Sequence, residues 1–289
     1  MNLNDFINEI VDIISEKIEE DEDVVRYDAI KNNNTKLHGV VIKKIGESVS
    51  PTIYLEGYYD RYLKESNLEY IADEIIKTSR KHRDDLKVDV SDFERFEAVK
   101  GELFVKLINR ECNKELLESV PYKEFLDLAI VAYFDASRWC GLNASVLIKN
   151  EHIKMWGIDS EEVIELAIKN SYIKNGFSIT NILDLFDVEV VNYCSTYPMY
   201  VLTNKTKYFG AACMIYEDVI NEFCEQNDSD VYIIPSSIHE VIIVLVNDEI
   251  SVDCLNEMIR SVNETELDNE DILSNHGYIY RRGSGYEMI

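Results

Sequence analysis

The stretch from Val231 to Val246 leaves little freedom in what the chain can become there. Two β-branched apolar runs, 231–234 and 240–246, flank a short polar insert of Pro235, Ser236, Ser237 and His239, with Glu240 opening the second run. Runs of this length and type read as buried strands, and the proline and serines between them read as a turn. A hairpin therefore sits inside a core. Two hydroxyls, an imidazole and a carboxylate stand at its mouth, where a binding or catalytic site would be placed.

The chain around this hairpin continues the pattern. Strands are expected at 199–203 and 210–215, a helix at 217–226, the hairpin, a helix at 253–263, and a last hairpin of 278–281 with 286–289 turned at Gly283-Ser284-Gly285. Strand-strand-helix-strand-strand-helix-hairpin is an α+β order with mainly antiparallel sheets and packed helices. Upstream, 103–108, 125–134 and 145–148 read as strands, and 151–156 and 159–170 as helices, the second opened by Asp159 and Glu162. The chain begins with an amphipathic helix carrying Leu3, Phe6, Ile7, Ile10, Ile14 and Ile18 on one face. It ends in Glu19-Glu20-Asp21-Glu22-Asp23, which reads as a solvated, fraying end. Strands at 24–30, 37–45 and 51–58 follow, the first two separated by Asn32-Asn33-Asn34. Ser66 and Glu69 form a capping box for a helix to Arg83, 81–87 reads as a surface connection, and a helix is expected at 91–100. With 289 residues the expectation is two units, an N-terminal α/β unit over 1–100 and a C-terminal α+β domain over 101–289.

Charge narrows the function classes. There are 55 acidic and 29 basic residues, a formal net charge of −26. Such a surface repels phosphates and anionic membranes, so neither nucleic acid nor membrane is an expected direct partner. Residues 217–271 alone hold 16 acidic residues against Arg260. Glu217, Asp218, Glu257, Glu264 and Asp268 lie on the two predicted helices and their flanks. They form a candidate acidic binding face for a basic protein, or an array that imitates DNA phosphates and inhibits a nucleic-acid-binding protein. The plain alternative is a solvated face that keeps the protein soluble.

Catalytic chemistry is weakly signalled. Ser236 or Ser237 as nucleophile, His239 as base and Glu240 as orienting acid would make a serine-type hydrolase. The Gly-x-Ser-x-Gly elbow is absent from the sequence. The competing reading has the serines satisfying turn backbone and His239 hydrogen-bonded at a strand start. Cys213 with His239 could supply a thiolate, but Cys213 lies in an apolar run that should make it an inert core thiol. Glu151-His152, His239-Glu240 and His276 do not make metal-ligand spacing, and His152 reads as a residue lining the helix that carries Trp156. No phosphate loop occurs, so neither cofactor nor metal is expected. The six cysteines have no paired spacing and read as thiols in a reducing cytoplasm. The first residues lack the pattern of a signal peptide, and no apolar run approaches the ~20 residues of a membrane span.

Several segments together carry a family likeness: Pro121 with Phe125-Leu126-Asp127-Leu128-Ala129, Asn150 to Gly157, Pro198 to Asn204, Gly210-Ala211-Ala212-Cys213, and Pro235 to Glu240. On these the chain resembles a bacterial domain-of-unknown-function family common in anaerobic gut bacteria. The resemblance implies a cytosolic bacterial protein and carries no activity, cofactor or catalytic residue. The combined expectation is a non-enzymatic cytosolic binding or regulatory protein using its acidic C-terminal face.

Overall fold

A computed structural model describes residues 1–46, 50–85, 92–137, 144–185, 198–247 and 250–289. Cys140, Cys194 and the start of the expected 91–100 helix lie outside the described residues. The chain folds as α+β, in two compact units: Met1–Arg95 with Asp135–Ser145, and Phe96–Phe134 with Val146–Ile289.

In the first unit, helix α1 (Leu3–Lys17) is capped by Asn2, whose side chain accepts from the Asp5 amide. Strands β1 (Glu22–Ile30) and β2 (Lys36–Lys44) pair antiparallel around Asn32–Asn34, and β3 (Thr52–Tyr54) pairs with β2. Asn33 and Asn34 both take left-handed backbone, which asparagine tolerates better than most residues. Helices α2 (Glu56–Glu65) and α3 (Leu68–Asp85) follow. Phe6, Ile7, Ile10 and Ile14 of α1 meet Val40 and Ile42 of β2 and Ile71, Ala72 and Ile75 of α3 in a closed core. Full burial of each Phe, Ile or Val side chain in it contributes roughly 1.5–3 kcal/mol.

Three expectations for this unit need correction. The strand expected over 51–58 stops at Tyr54 and gives way to α2, which fully buries none of its residues and so carries little apolar periodicity to read. Ser66 does not cap α3: it closes α2 in left-handed backbone, and Asn67 accepts the Tyr70 amide instead. The acidic run is not simply solvated. The Glu22 side chain is 1% exposed and is held by Arg80 at 2.6 Å and Arg83 at 2.7 Å. Burial alone would push its carboxyl up, but the two guanidinium hydrogen bonds outweigh that and hold it down to about 2.

In the second unit, β4 (Leu103–Asn109), β5 (Tyr122–Phe125) and β6 (Leu128–Asp135) form a sheet ordered β4-β6-β5, with β7 (Ser145–Leu147) also paired to β6. The single strand expected over 125–134 is thus a tight hairpin, turned where Leu126 takes left-handed backbone. Phe96–Val99 is one helical turn in place of the longer helix expected. Helix α4 (Asn150–Trp156) and helix α5 (Ser160–Asn170) come next, with the Asp159 side chain accepting the Glu161 amide. His152 stacks near Trp156 and its Nδ1 accepts the Lys149 amide.

The larger sheet runs β13-β12-β10-β11-β9-β8, from β8 (Ser178–Asn181), β9 (Met199–Thr203), β10 (Val231–Pro235), β11 (Val241–Leu245), β12 (Tyr278–Arg281) and β13 (Gly285–Met288). Every pairing in it is antiparallel. The expected strand at 210–215 is instead a 3-10 helix, Gly210–Ile215, buried from Gly210 to Met214. Six apolar residues do not fix a period, and here local i to i+3 bonding wins.

Helices α6 (Glu217–Gln226) and α7 (Val252–Thr265) cover this sheet from opposite sides. Strand alternation sends Tyr232, Ile234, Val244 and Ile279 to one face, where they pack with Leu255 and Ile259 of α7. Tyr200 points to the other face, where its ring meets Phe223 of α6 at 5.0 Å. Gly283 and Gly285 take positive φ and turn the last hairpin.

Candidate functional site

The 235–240 insert is tied to its surroundings almost entirely through its own backbone. The Ser237 amide donates to the Glu240 carbonyl at 3.1 Å, and the Ser237 hydroxyl accepts the His239 amide at 3.0 Å. The Ile238 amide donates to the Asp271 carbonyl at 2.9 Å, and the Thr203 hydroxyl donates to the His239 carbonyl at 2.8 Å. This is what a serine in a turn does when it replaces missing ladder bonds. Ser237 is buried, while Ser236, His239 and Glu240 are partly exposed.

The imidazole is committed elsewhere than to the serines. His239 Nδ1 accepts the Phe209 amide at 3.1 Å, which leaves the neutral ring's proton on Nε2. The Asp271 carboxylate lies 3.5 Å from that Nε2. Among the described residues no hydrogen bond joins either serine hydroxyl to the imidazole. The structure therefore brings Ser237, His239 and Glu240 together as one turn, with the ring directed to Phe209 and Asp271. Cys213 is buried, and burial pushes its thiol up to about 12, which keeps it protonated.

An aromatic and cationic cluster surrounds His239, drawn from residues distant along the chain. Phe209, in left-handed backbone, stacks on the imidazole with centroids 5.6 Å apart and planes 8° apart. Tyr133 meets the same phenyl ring edge-on at 5.0 Å, and the Lys106 ammonium lies 4.7 Å from its centroid. Tyr208, 43% exposed, lies against both Phe209 and His239. The next residue, Gly210, fits where nothing larger can. A Cβ there would lie 2.0 Å from Thr203 Oγ1, 2.6 Å from the Asn204 nitrogen and 2.6 Å from the His239 carbonyl.

The acidic residues fall on two surfaces instead of one, because the sheet stands between α6 and α7. Glu217 and Asp218 open α6, and Asp218 accepts a hydrogen bond from the Tyr172 hydroxyl at 2.9 Å. Glu257 and Glu264 are exposed on α7, and Asp268 lies just beyond it. The outer face of α7 is not purely acidic. Met258 is 48% exposed and Val262 41%, four residues apart and so adjacent on the helix. They make a short apolar ridge, extended by exposed Cys254 and bordered by carboxylates.

A family model for a family of unknown function, DUF5688, matches residues 3–282. The chain belongs to this family. No curated protein and no solved structure matches it. Three of the segments that carried the earlier likeness, 198–204, 210–213 and 235–240, meet in the structure at Gly210. Thr203, Gly210 and His239 are the points of contact. Those segments thus mark a packing junction of this member's larger sheet. Among the described residues no three His, Cys, Asp or Glu side chains come close enough to hold a metal ion. No described helix is long and apolar enough to cross a membrane. Phe209 and Asp271 reach His239 from 30 and 32 positions away, and Lys106 reaches the Phe209 ring from β4, so no local pattern of residues marks the cluster.

Proposed function

We propose that this member of the family is a non-enzymatic binding or regulatory protein, and that the outer face of α7 docks a basic amphipathic segment of another protein. One observation carries the reading: the half-exposed pair Met258 and Val262 sits among exposed Asp253, Glu257, Glu264, Glu266 and Asp268. An apolar ridge gives such a partner area to bury, and the bordering carboxylates select for Lys and Arg beside it. Arg260 is the single basic residue of that helix. The commitments of His239 to Phe209 and Asp271 favour binding over hydrolysis as the role of the unit.

A reducing bacterial cytoplasm, as in anaerobic gut species, suits the free thiols of Cys112, Cys213, Cys224 and Cys254. The test is calorimetry with a basic amphipathic helical peptide at low and high salt. Affinity falls with salt, and Met258→Ser and Glu257→Lys each weaken it about tenfold, as loss of a central apolar contact or a charge reversal does. Binding unchanged in both variants refutes the docking face. A fluorophosphonate adduct at Ser236 or Ser237 would refute the non-enzymatic reading.

A further inference from the structure

A second surface, on the opposite side of the sheet from α7, has the makings of a small-molecule site. A cleft of about 630 Å³ opens between the β5–β6 turn, the first turn of α6 and the hairpin turn at Gly283 to Gly285. Glu124, Phe125, Glu217, Asn221, Tyr280 and Tyr286 line it, and its lining includes no Lys, Arg or His.

We propose that this cleft binds an organic ammonium cation, with Glu217 as its counter-charge and the Tyr280 ring and hydroxyl as its second contact. Tyr280 is 5% exposed, yet among the described residues its hydroxyl has no hydrogen-bond partner. The hydroxyl is not sealed from solvent, and the cleft is the space the residue lines. Its neighbour Tyr286 is different: that hydroxyl donates to the Met214 carbonyl, which fixes the ring. Tyr280 meets Tyr286 at 4.9 Å and 69°, and Phe125 meets Tyr286 at 5.3 Å and 77°. Three rings thus brace one another and present a rigid aromatic wall.

The charge in the cleft has one source left uncompensated. Glu124 is held by Arg110 at 2.6 Å. Glu217 makes no ion pair among the described residues, and as the first residue of α6 its carboxylate is stabilised by the helix dipole. Asn221 donates its amide to Glu225 at 2.7 Å, leaving its carbonyl oxygen as an acceptor. Burial, and next the Glu217 carboxylate, push the Tyr280 phenol above its ordinary value, so it stays neutral. A carboxylate, an amide carbonyl, a phenol and aromatic walls with no competing cation make a receptor for a positively charged amine.

The source is either a free polyamine or the lysine side chain of a peptide. NMR titration of the full chain with spermidine and, separately, with N-acetyl-lysine methylamide distinguishes them. Saturable shifts of the Tyr280 and Tyr286 ring signals with spermidine assign a free polyamine; the same shifts with the lysine derivative alone assign a peptide. Glu217→Gln raises the Kd about five- to tenfold, the range of a single charge pair with its cation–π contact. Tyr280→Phe keeps the fold and weakens binding less, while Glu9→Gln on the exposed face of α1 leaves the Kd unchanged. The proposal fails if neither probe moves the Tyr280 signals. It also fails if Glu217→Gln and Glu9→Gln weaken binding equally, because the attraction is then diffuse.

Discussion

Replacing Gly210 with alanine adds one carbon at the tightest point of the larger sheet. That carbon would sit 2.0 Å from Thr203 Oγ1 and 2.6 Å from two backbone atoms, the Asn204 nitrogen and the His239 carbonyl oxygen. The threonine can rotate, but doing so gives up its 2.8 Å hydrogen bond to His239, worth about 1 kcal/mol. The two backbone atoms cannot move without shifting the start of β11 or the end of β9. Overpacking of this kind costs typically 1–3 kcal/mol, so the sum is about 2–4 kcal/mol, a large fraction of ordinary domain stability. Urea unfolding followed by far-UV circular dichroism reads the loss as a lower midpoint. Hydrogen exchange by mass spectrometry locates it, through faster exchange at Ala211 and Ile238, whose amides bond at this junction. Gly57→Ala is the control: it lies in α2 with nothing within 4 Å of the added carbon, so it leaves stability unchanged or raises it by up to about 1 kcal/mol. A Gly210→Ala protein as stable as its parent, with unchanged exchange at those amides, refutes the argument.

Glu22 makes the first unit acid-sensitive. Its folded carboxyl is depressed to about 2 from the ordinary 4.5, so the stability it contributes is present above pH ~4.5 and is lost as pH falls through about 2. The difference corresponds to roughly 3 kcal/mol, and Glu22→Gln should flatten that part of the acid-unfolding curve. Asn263→Ala removes bonds to the Ser274 carbonyl at 2.9 Å and the Asn275 side chain at 2.8 Å. Leaving that carbonyl buried and unpaired costs about 1–3 kcal/mol, measurable as a lower urea midpoint. Cys112 and Cys254 are exposed, whereas Cys213 and Cys224 are buried with thiols raised to about 12 and about 11. Peptide mapping after iodoacetamide treatment of the folded protein should find Cys254 and Cys112 alkylated and the other two protected until denaturant is added.

Elements whose signal is local were legible in the residues alone. The hairpin of β10 and β11, the cap at Asp159 and the turn at Gly283 and Gly285 each depend on neighbours within a few positions. Features decided by distant partners were not. Glu22 looks like one more acid in a charged run, and only α3, 58 and 61 positions later, turns it into a buried anion. Residues 210–215 are small or apolar without a period of their own, and the 3-10 turn they form packs with Gly210 against Thr203 and His239. The acidic helices read as one face because sequence order hides the sheet between them. The cleft at Tyr280 was invisible for the same reason, since its lining comes from segments about 90 and 60 positions apart along the chain.

The bond from the Ile238 amide to the Asp271 carbonyl has a consequence for synthesis. A ribosome makes the chain from its N-terminus, so the turn after β10 exists long before the residue that locks it. Until residue 271 has emerged, the turn lacks this outside bond and β10 has no β12 beside it. During that interval the nascent protein offers a bare β-branched edge, the kind of surface that chaperones cover and that aggregates when left alone.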